Sequence, residues 1–392
     1  MAEISIHHSL GDLKREDWDA LESGDFPFAS YDYLSAMERT GCVGEAAGWI
    51  PLYLTIREGS RLSAATYLYI KTNSDGEFIF DFAWARAYHR NGLAYYPKLL
   101  SASPFTPVTG PKLLIHPQAE RAELAPALIA AALDENRRIG GSGVHFLYLS
   151  PEEITDFERA GAMIRRGYQF RWRNRGYRSF EDFLQALKRK RRLQIARERR
   201  RVAELPLEIV TLSGGEIGAE EVAAMHDFYA VTFHKKFCTP YLNREFFEEV
   251  HGRMRDNLVF AMAREGRRWV AGAIHYRKGQ SLFGRYWGSL RDYANLHFEL
   301  AYYRGIDFAI AQGLREMDAG AGVPHKIFRG FDPEPIHSAH WIEHPQFRQA
   351  IAHYIREESR AVQAELDYAT EHGSYKTGPD VPPFEKGGQG GI

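Results

Sequence analysis

The feature that most constrains this chain is that it resembles itself. Residues 54–82, LTIREGSRLSAATYLYIKTNSDGEFIFDF, lie over residues 261–287, AMAREGRRWVAGAIHYRKGQSLFGRYW, with one short gap. Each copy centres on an REGxR turn, carried by Arg57, Glu58, Gly59 and Arg61 and again by Arg264, Glu265, Gly266 and Arg268. Glycine there permits the positive φ of a tight hairpin. Both copies read as strand, turn, strand, turn, strand. A helix at 118–138 and a strand at 144–150 follow the first copy; a helix at 295–313 and a strand at 315–321 follow the second. The same order at long separation, with each helix set between strands read as parallel, predicts two copies of one α+β unit.

A chain of 392 residues, 44% hydrophobic and 13% aromatic, has the length and apolar content for a core in each copy. The expected organisation is a first domain over 1–178, a linking helix over 179–205, a second domain over 206–374 and a flexible tail over 375–392. The tail is expected from GPDVPPFEKGGQGGI, which has too few core-forming side chains to offset the entropy of ordering. Charge is unevenly placed. Residues 165–201 carry fifteen Lys and Arg against three Asp and Glu, a net +12, so the remainder of this −1 chain carries −13. Ser179 with Asp182 resembles a helix cap, and Phe180, Phe183, Leu184 and Leu187 supply an apolar stripe, predicting one helix that ends before Pro206. That segment binds a phosphorylated partner such as RNA, or its charges are answered within the protein or by solvent.

The opening residues lack a basic segment followed by an apolar one, and no run approaches the roughly 20 apolar residues of a membrane span. A cytoplasmic location is therefore expected. Cys42 and Cys238 read as single thiols, which suits a reducing compartment. His337, His340 and His344 have a spacing that suits zinc on a helix. Pro333, Pro335 and Pro345 argue against that helix, because the residue before a proline avoids the α conformation. No metal site is expected.

Four stretches together carry a resemblance: YYPKLLSASPFTPVTGPKLL (95–114), GRYWGS (284–289), LHFELAYYRGIDFAI (296–310) and HKIFRGFDPEPIHSAHW (325–341). The chain resembles the FemAB-like predicted N-acyltransferases, over about residues 5–370. The resemblance implies tandem domains of the GNAT acyltransferase type, each a mixed β-sheet flanked by helices. It also implies transfer of an acyl or aminoacyl group to the amine of a small molecule or peptide, with aminoacyl-tRNA or acyl-CoA as donor and no tightly bound cofactor. The phosphate-cradling Arg/Gln-x-x-Gly-x-Gly/Ala loop of acetyl-CoA enzymes is absent from both halves, which favours the tRNA-linked donor. The long two-helix arm of the Fem enzymes is missing too, which weakens that donor.

N-acyl transfer needs a deprotonated amine and positive groups where negative charge develops on the carbonyl oxygen. The resemblance puts Lys326 in the place of a cationic Fem loop, with Arg329 three residues on. The candidate bases are Glu299, His325, Asp318 and His275. Glu299 lies on a largely apolar helix face, and Asp318 at the end of a central strand. Arg285 and Trp287 share one strand face and are read as substrate contacts, with Tyr303, Arg329, His337, His340 and Trp341 as further walls. Lys188, Arg189, Lys190, Arg191 and Arg192 are read as donor-binding. Tyr95, Tyr96, Lys98 and Thr109 belong to the matching first-half motif. Two other classes remain open: a noncatalytic protein recognising a peptide or cell-wall precursor, and an RNA-binding module using the basic helix.

Overall fold

The computed structural model describes residues 2–21, 24–235, 238–321 and 324–376. The two REGxR stretches form the hairpins the repeat predicts. In the first, β2 (Trp49–Glu58) turns into β3 (Arg61–Lys71) through Gly59 at φ +64°. In the second, β9 (Leu258–Glu265) turns into β10 (Arg268–Lys278) through Gly266 at φ +61°. The third strand holds only in the second copy, as β11 (Ser281–Ser289). In the first copy the chain after Phe80 forms the helix Phe82–Arg90, and the third strand comes later as β4 (Lys98–Ser101). Asp81 and Glu77 explain the detour, since both turn inward to hold the fully buried ammonium of Lys98.

The remaining strands are β1 (Ala2–His7), β5 (Leu114–Ile115), β6 (Gly143–Phe146), β7 (Met163–Arg173), β8 (Glu208–Ser213), β12 (Glu316–Asp318) and β13 (Asp332–Ile342). All lie in one sheet of thirteen strands, ordered β1-β2-β3-β4-β6-β13-β7-β12-β11-β10-β9-β8, with β5 beside β3. That order is a pseudo-two-fold with exchanged strands. The first half's last strand, β7, pairs with β12 of the second half, and the second half's last strand, β13, pairs with β6 of the first. The two exchanged strands run antiparallel beside each other from Asp332↔Arg171 to His340↔Met163. An expected boundary at residue 178 therefore separates no two sheets.

The expected helix over 179–205 is two helices. Ser179 caps Phe180–Ala186 by accepting from the Asp182 amide at 3.0 Å, but Leu187 is extended and buried, and a second helix starts afresh at Arg189–Ala203. Burying Leu187 against the core in an extended conformation breaks the run that the cap and apolar stripe suggested. Much of the positive charge is answered internally. Arg171 and Arg173 on β7 pair with Glu316 and Glu334, and Arg175 pairs with Asp332 at 2.5 Å. Pro333 and Pro335 fall within β13, so His337 and His340 are extended. His344 precedes the 27-residue helix Pro345–Glu371, with Pro345 in its first turn. The expected tail falls, from residue 377 on, outside the described residues. Among the described residues no helix is long and apolar enough to cross a membrane.

Candidate active site

The site begins with a strand that runs out of partner. β12 pairs in parallel with β11 only from Ser281↔Glu316 to Phe283↔Asp318. Beyond Phe283, β11 continues along β10, while the chain after Asp318 turns away through Ala319–Ala321, so a gap opens along one edge of β11. A β-bulge sits at the mouth. The β10–β11 register steps from Ile274↔Tyr286 to His275↔Gly284, which leaves Arg285 as the extra residue. Bulges re-aim side chains, and here Arg285 donates from Nη2 to Asp318 Oδ1 at 2.7 Å. The Gly320 amide donates to the same oxygen at 2.7 Å, at a φ of +74° that glycine tolerates.

The gap opens into a cavity of about 330 Å³. Its polar walls are Arg285, His275, His297, Lys326 and Thr232; Trp287, Tyr286 and Tyr302 supply aromatic surface, and Phe78, Phe105 and Pro107 reach in from the first half. Among the described residues that line it there is no Asp or Glu. The first half is fastened there by Tyr286, whose hydroxyl donates to the Phe105 carbonyl at 2.8 Å, and by Gln169, whose amide donates to the Pro107 carbonyl at 2.9 Å. The SPFTPVTGPK loop is thus a wall of the second half's cavity.

Lys326 is buried, and its ammonium donates to the carbonyls of Ala319, Gly320 and Ala321 at 2.8, 2.9 and 2.7 Å. Burial lowers its pKa to about 8, with Asp318 opposing and Arg285 adding to the shift. His275 is lowered by burial to about 4, against the hydrogen bonds to the Ala301 and Val259 backbone; its Nε2 lies 3.3 Å from the Ala301 carbonyl. His297 is also lowered to about 4, by burial and then by the charges of His325, Lys326 and Arg329. Its ring centre lies 4.9 Å from that of Trp287 and 5.3 Å from that of Tyr302. Burial, Arg329 and Lys326 also lower His325, whose Nε2 lies 3.1 Å from the Tyr302 hydroxyl. His275 and His297 are therefore neutral at pH 7.

A π-turn at Glu299–Tyr303, between Leu296–Phe298 and Arg304–Ala311, divides the helix face. Such turns rephase the side chains of a helix. His297, Ala301 and Tyr302 meet the cavity, whereas Glu299 and Tyr303 meet the basic helix. Glu299 accepts from Arg199 at 3.1 and 3.2 Å and from Arg304 at 3.0 Å. Tyr303 donates to Glu198, which also accepts from Arg329 at 2.7 and 3.2 Å. The Arg329 guanidinium rests 3.4 Å from the Phe298 ring centre. Glu299, Tyr303 and Arg329 therefore fasten three elements together, the 296–311 helix, the basic helix and the Pro324–Arg329 turn, and are not among the residues that line the cavity.

The strand exchange removes three more candidates. β13 lies in the first half's sheet, so His337, His340 and Trp341 are away from the cavity. His340 faces His145 (Nδ1 to Nδ1, 2.9 Å) and Ser338, and Trp341 donates to the Ala160 carbonyl at 3.3 Å. Lys98, with Tyr95, belongs to a buried network around Asp81. Of the candidates, Lys326, Arg285, Trp287 and His275 meet at the cavity, with Asp318 directly behind Arg285 and His325 behind Tyr302. Lys188, Lys190 and Arg191 border a second cavity across the Pro324–Arg329 turn. Sequence reasoning passed over His297, Tyr302, Thr232 and Phe105. The first two lie in the quoted LHFELAYY motif, but no spacing rule predicts a π-turn.

A splayed strand pair, a helix after it and a duplicated, strand-exchanged sheet define a tandem α+β fold of two mixed half-sheets flanked by helices. The family model for FemAB-like proteins, described as peptidoglycan biosynthesis/recognition, matches residues 9–377, and the chain belongs to that family. The chain is similar in fold to FemX, at 10% identity over 89% of this chain and 100% of that one, with a TM-score of 0.51. It is similar too to the C-terminal domain of a putative lysylphosphatidylglycerol synthetase from Agrobacterium fabrum, at 11% identity over 90% and 98% of the two chains, TM-score 0.52. A conserved protein of unknown function from Bacteroides thetaiotaomicron matches at 9% identity over 86% and 99%, TM-score 0.52. No curated protein matches the sequence.

Proposed function

We propose that the protein transfers an aminoacyl or acyl group to an amine acceptor in the cavity between β11 and β12. The observation that carries this reading is the lining of that cavity: among the described residues, two cations, neutral imidazoles and no carboxylate, beside a stretch of β11 that β12 does not pair. An unpaired edge accepts an amide-bearing ligand by backbone pairing. Cationic walls disfavour an ammonium, so they lower the pKa of an acceptor amine and let it enter neutral. The amine nitrogen attacks the donor carbonyl carbon, and the new oxyanion is stabilised by the fixed positive charge of Arg285 and Lys326. His297 is too weak a base to deprotonate a ground-state ammonium. It accepts the far more acidic proton of the nitrogen after attack and returns it to the departing ester oxygen or thiolate as the carbonyl reforms. The carboxylates Glu299 and Asp318 take no proton in this scheme.

The donor is an aminoacyl-tRNA or an acyl thioester, and a peptidoglycan precursor bearing a free amine fits the family as acceptor. The test incubates the full chain with donors of both classes and amine acceptors and reads products by mass spectrometry. Transfer is expected, with a rate that rises with pH to a plateau below the pKa of the free acceptor amine. His297→Gln is expected to lower kcat/KM about a hundredfold. Ligand binding without turnover for every donor would make this a recognition protein instead.

A further inference from the structure

The cavity beside β11 passes the edge of that strand from one face of the sheet to the other. Tyr286 and Trp287 are consecutive, so their side chains leave opposite faces, and both line the cavity. On the Trp287 side stands His297, the proton acceptor of the transfer scheme. On the Tyr286 side the lining is aromatic and comes from both halves, with Tyr229 and Phe233 from the second and Phe78 and Phe105 from the first. These rings form a continuous wall. Tyr286 lies 4.7 Å from Tyr229, which lies 4.7 Å from Phe233; Tyr241 then packs 5.4 Å from Phe233 and stacks on Phe105 at 4.7 Å, with 7° between the planes. The polar atoms of this side are engaged within the protein. The Tyr286 hydroxyl donates to the Phe105 carbonyl, the Tyr229 hydroxyl accepts from the amides of Tyr241 and Leu242 at 3.1 Å, and the Thr232 hydroxyl lies 2.8 Å from the Trp287 carbonyl.

The two rings from the first half are held at a cost. Phe78 has φ +60° and Phe105 φ +56°, a region that bulky side chains avoid. Gly76 passes so close to Phe105 that a Cβ on it would stand 2.4 Å from the ring. Strain of this kind persists where the surrounding contacts over-determine it, and it gathers at ligand sites; here both strained residues face one cavity. We infer that the Tyr286 side of the cavity holds an apolar, planar side chain carried by one of the two substrates, and that Phe78 and Phe105 set this specificity. A polar or charged side chain gives up water there without gaining a partner. A methyl group leaves the rings without the contacts a planar group makes. The inference rests on the transfer reading for what reacts in the cavity. The side chain belongs either to the transferred aminoacyl group or to the acceptor, and the chemistry is the same for both.

Calorimetric titration of the full chain with phenylalaninamide, alaninamide and glutaminamide reads the specificity without turnover. Phenylalaninamide is expected to bind about tenfold tighter than the other two. Phe78→Asn removes the ring and suits the left-handed backbone, so it is expected to fold, read by its thermal melt, while the preference falls about tenfold. Phe105→Leu is expected to reduce the preference as well. Phe82→Ser removes an exposed ring that does not line the cavity, and it is expected to change the preference less than twofold. Transfer assays then assign the source, by varying the aminoacyl group against a fixed acceptor and the acceptor side chain against a fixed donor. The arm in which Phe78→Asn lowers the ratio of kcat/KM for phenylalanine over alanine names the substrate that carries the ring, and either arm upholds the inference. A preference in binding with no transfer removes the transfer reading and keeps the specificity; transfer with no preference does the reverse. Absence of the preference from both readouts, or its survival in Phe78→Asn, overturns the inference.

Discussion

Lys326 shows how a residue's contacts revise its role. The resemblance makes it a cation beside the reacting carbonyl, yet all three of its N–H bonds are directed to the carbonyls of Ala319, Gly320 and Ala321. It is a positioning residue that shapes the loop opposite β11 and contributes its charge from there. Lys326→Met leaves three carbonyls without a donor and is expected to destabilise the protein by about 3 kcal/mol, measured by chemical denaturation. The pH dependence gives an independent readout. The pKa of Lys326 is about 8 in the fold against 10.5 for the free side chain, so between those values the unfolded chain holds more protons and stability rises with pH. That rise is expected to shrink in Lys326→Met, measured between pH 8 and 10.5. His297 was legible as a residue of a quoted motif, but its role depends on the Trp287 ring packed at a tilt beside it, which joins residues ten apart across a strand and a loop.

The elements around the cavity owe their placement to close approaches and bends that periodicity does not encode. Gly288 on β11 is one: a Cβ there would stand 1.9 Å from the backbone oxygen of Phe228 on the Ala219–His234 helix. Gly288→Ala must push that helix off the sheet, and since Thr232 and Phe233 on it line the cavity, a loss of about 3 kcal/mol and a fall in activity are expected together. The Glu299 contact predicts the opposite pairing of effects. Glu299→Gln removes the carboxylate that Arg199 and Arg304 share, so a lower melting temperature is expected with kcat/KM within about twofold of the wild type. A double-mutant cycle with Arg199→Met is expected to show coupling between the two side chains. The helix 296–311 was legible from its apolar spacing; which of its faces met the cavity was decided by the π-turn.

The whole molecule is bound together by its exchanged strands. β7 supplies a partner to β12, and β13 supplies one to β6, so each half without the other has a bare edge at the centre of its sheet. Residues 1–178 and 179–376 expressed separately are each expected to lack cooperative unfolding, and co-expressed they are expected to form a one-to-one complex, read by size-exclusion chromatography and thermal melts. The sequence by itself determined the duplication, the two hairpins and the helix–strand order, because glycine turns and hydrophobic periods are local and survive in a single pass along the chain. Only the tertiary structure decided the strand exchange, and with it the site. Pairing across more than a hundred residues leaves no local period, so HKIFRGFDPEPIHSAHW reads as one motif while its two ends serve different halves. Lys326 closes the second half's cavity, and His337, His340 and Trp341 complete the first half's sheet.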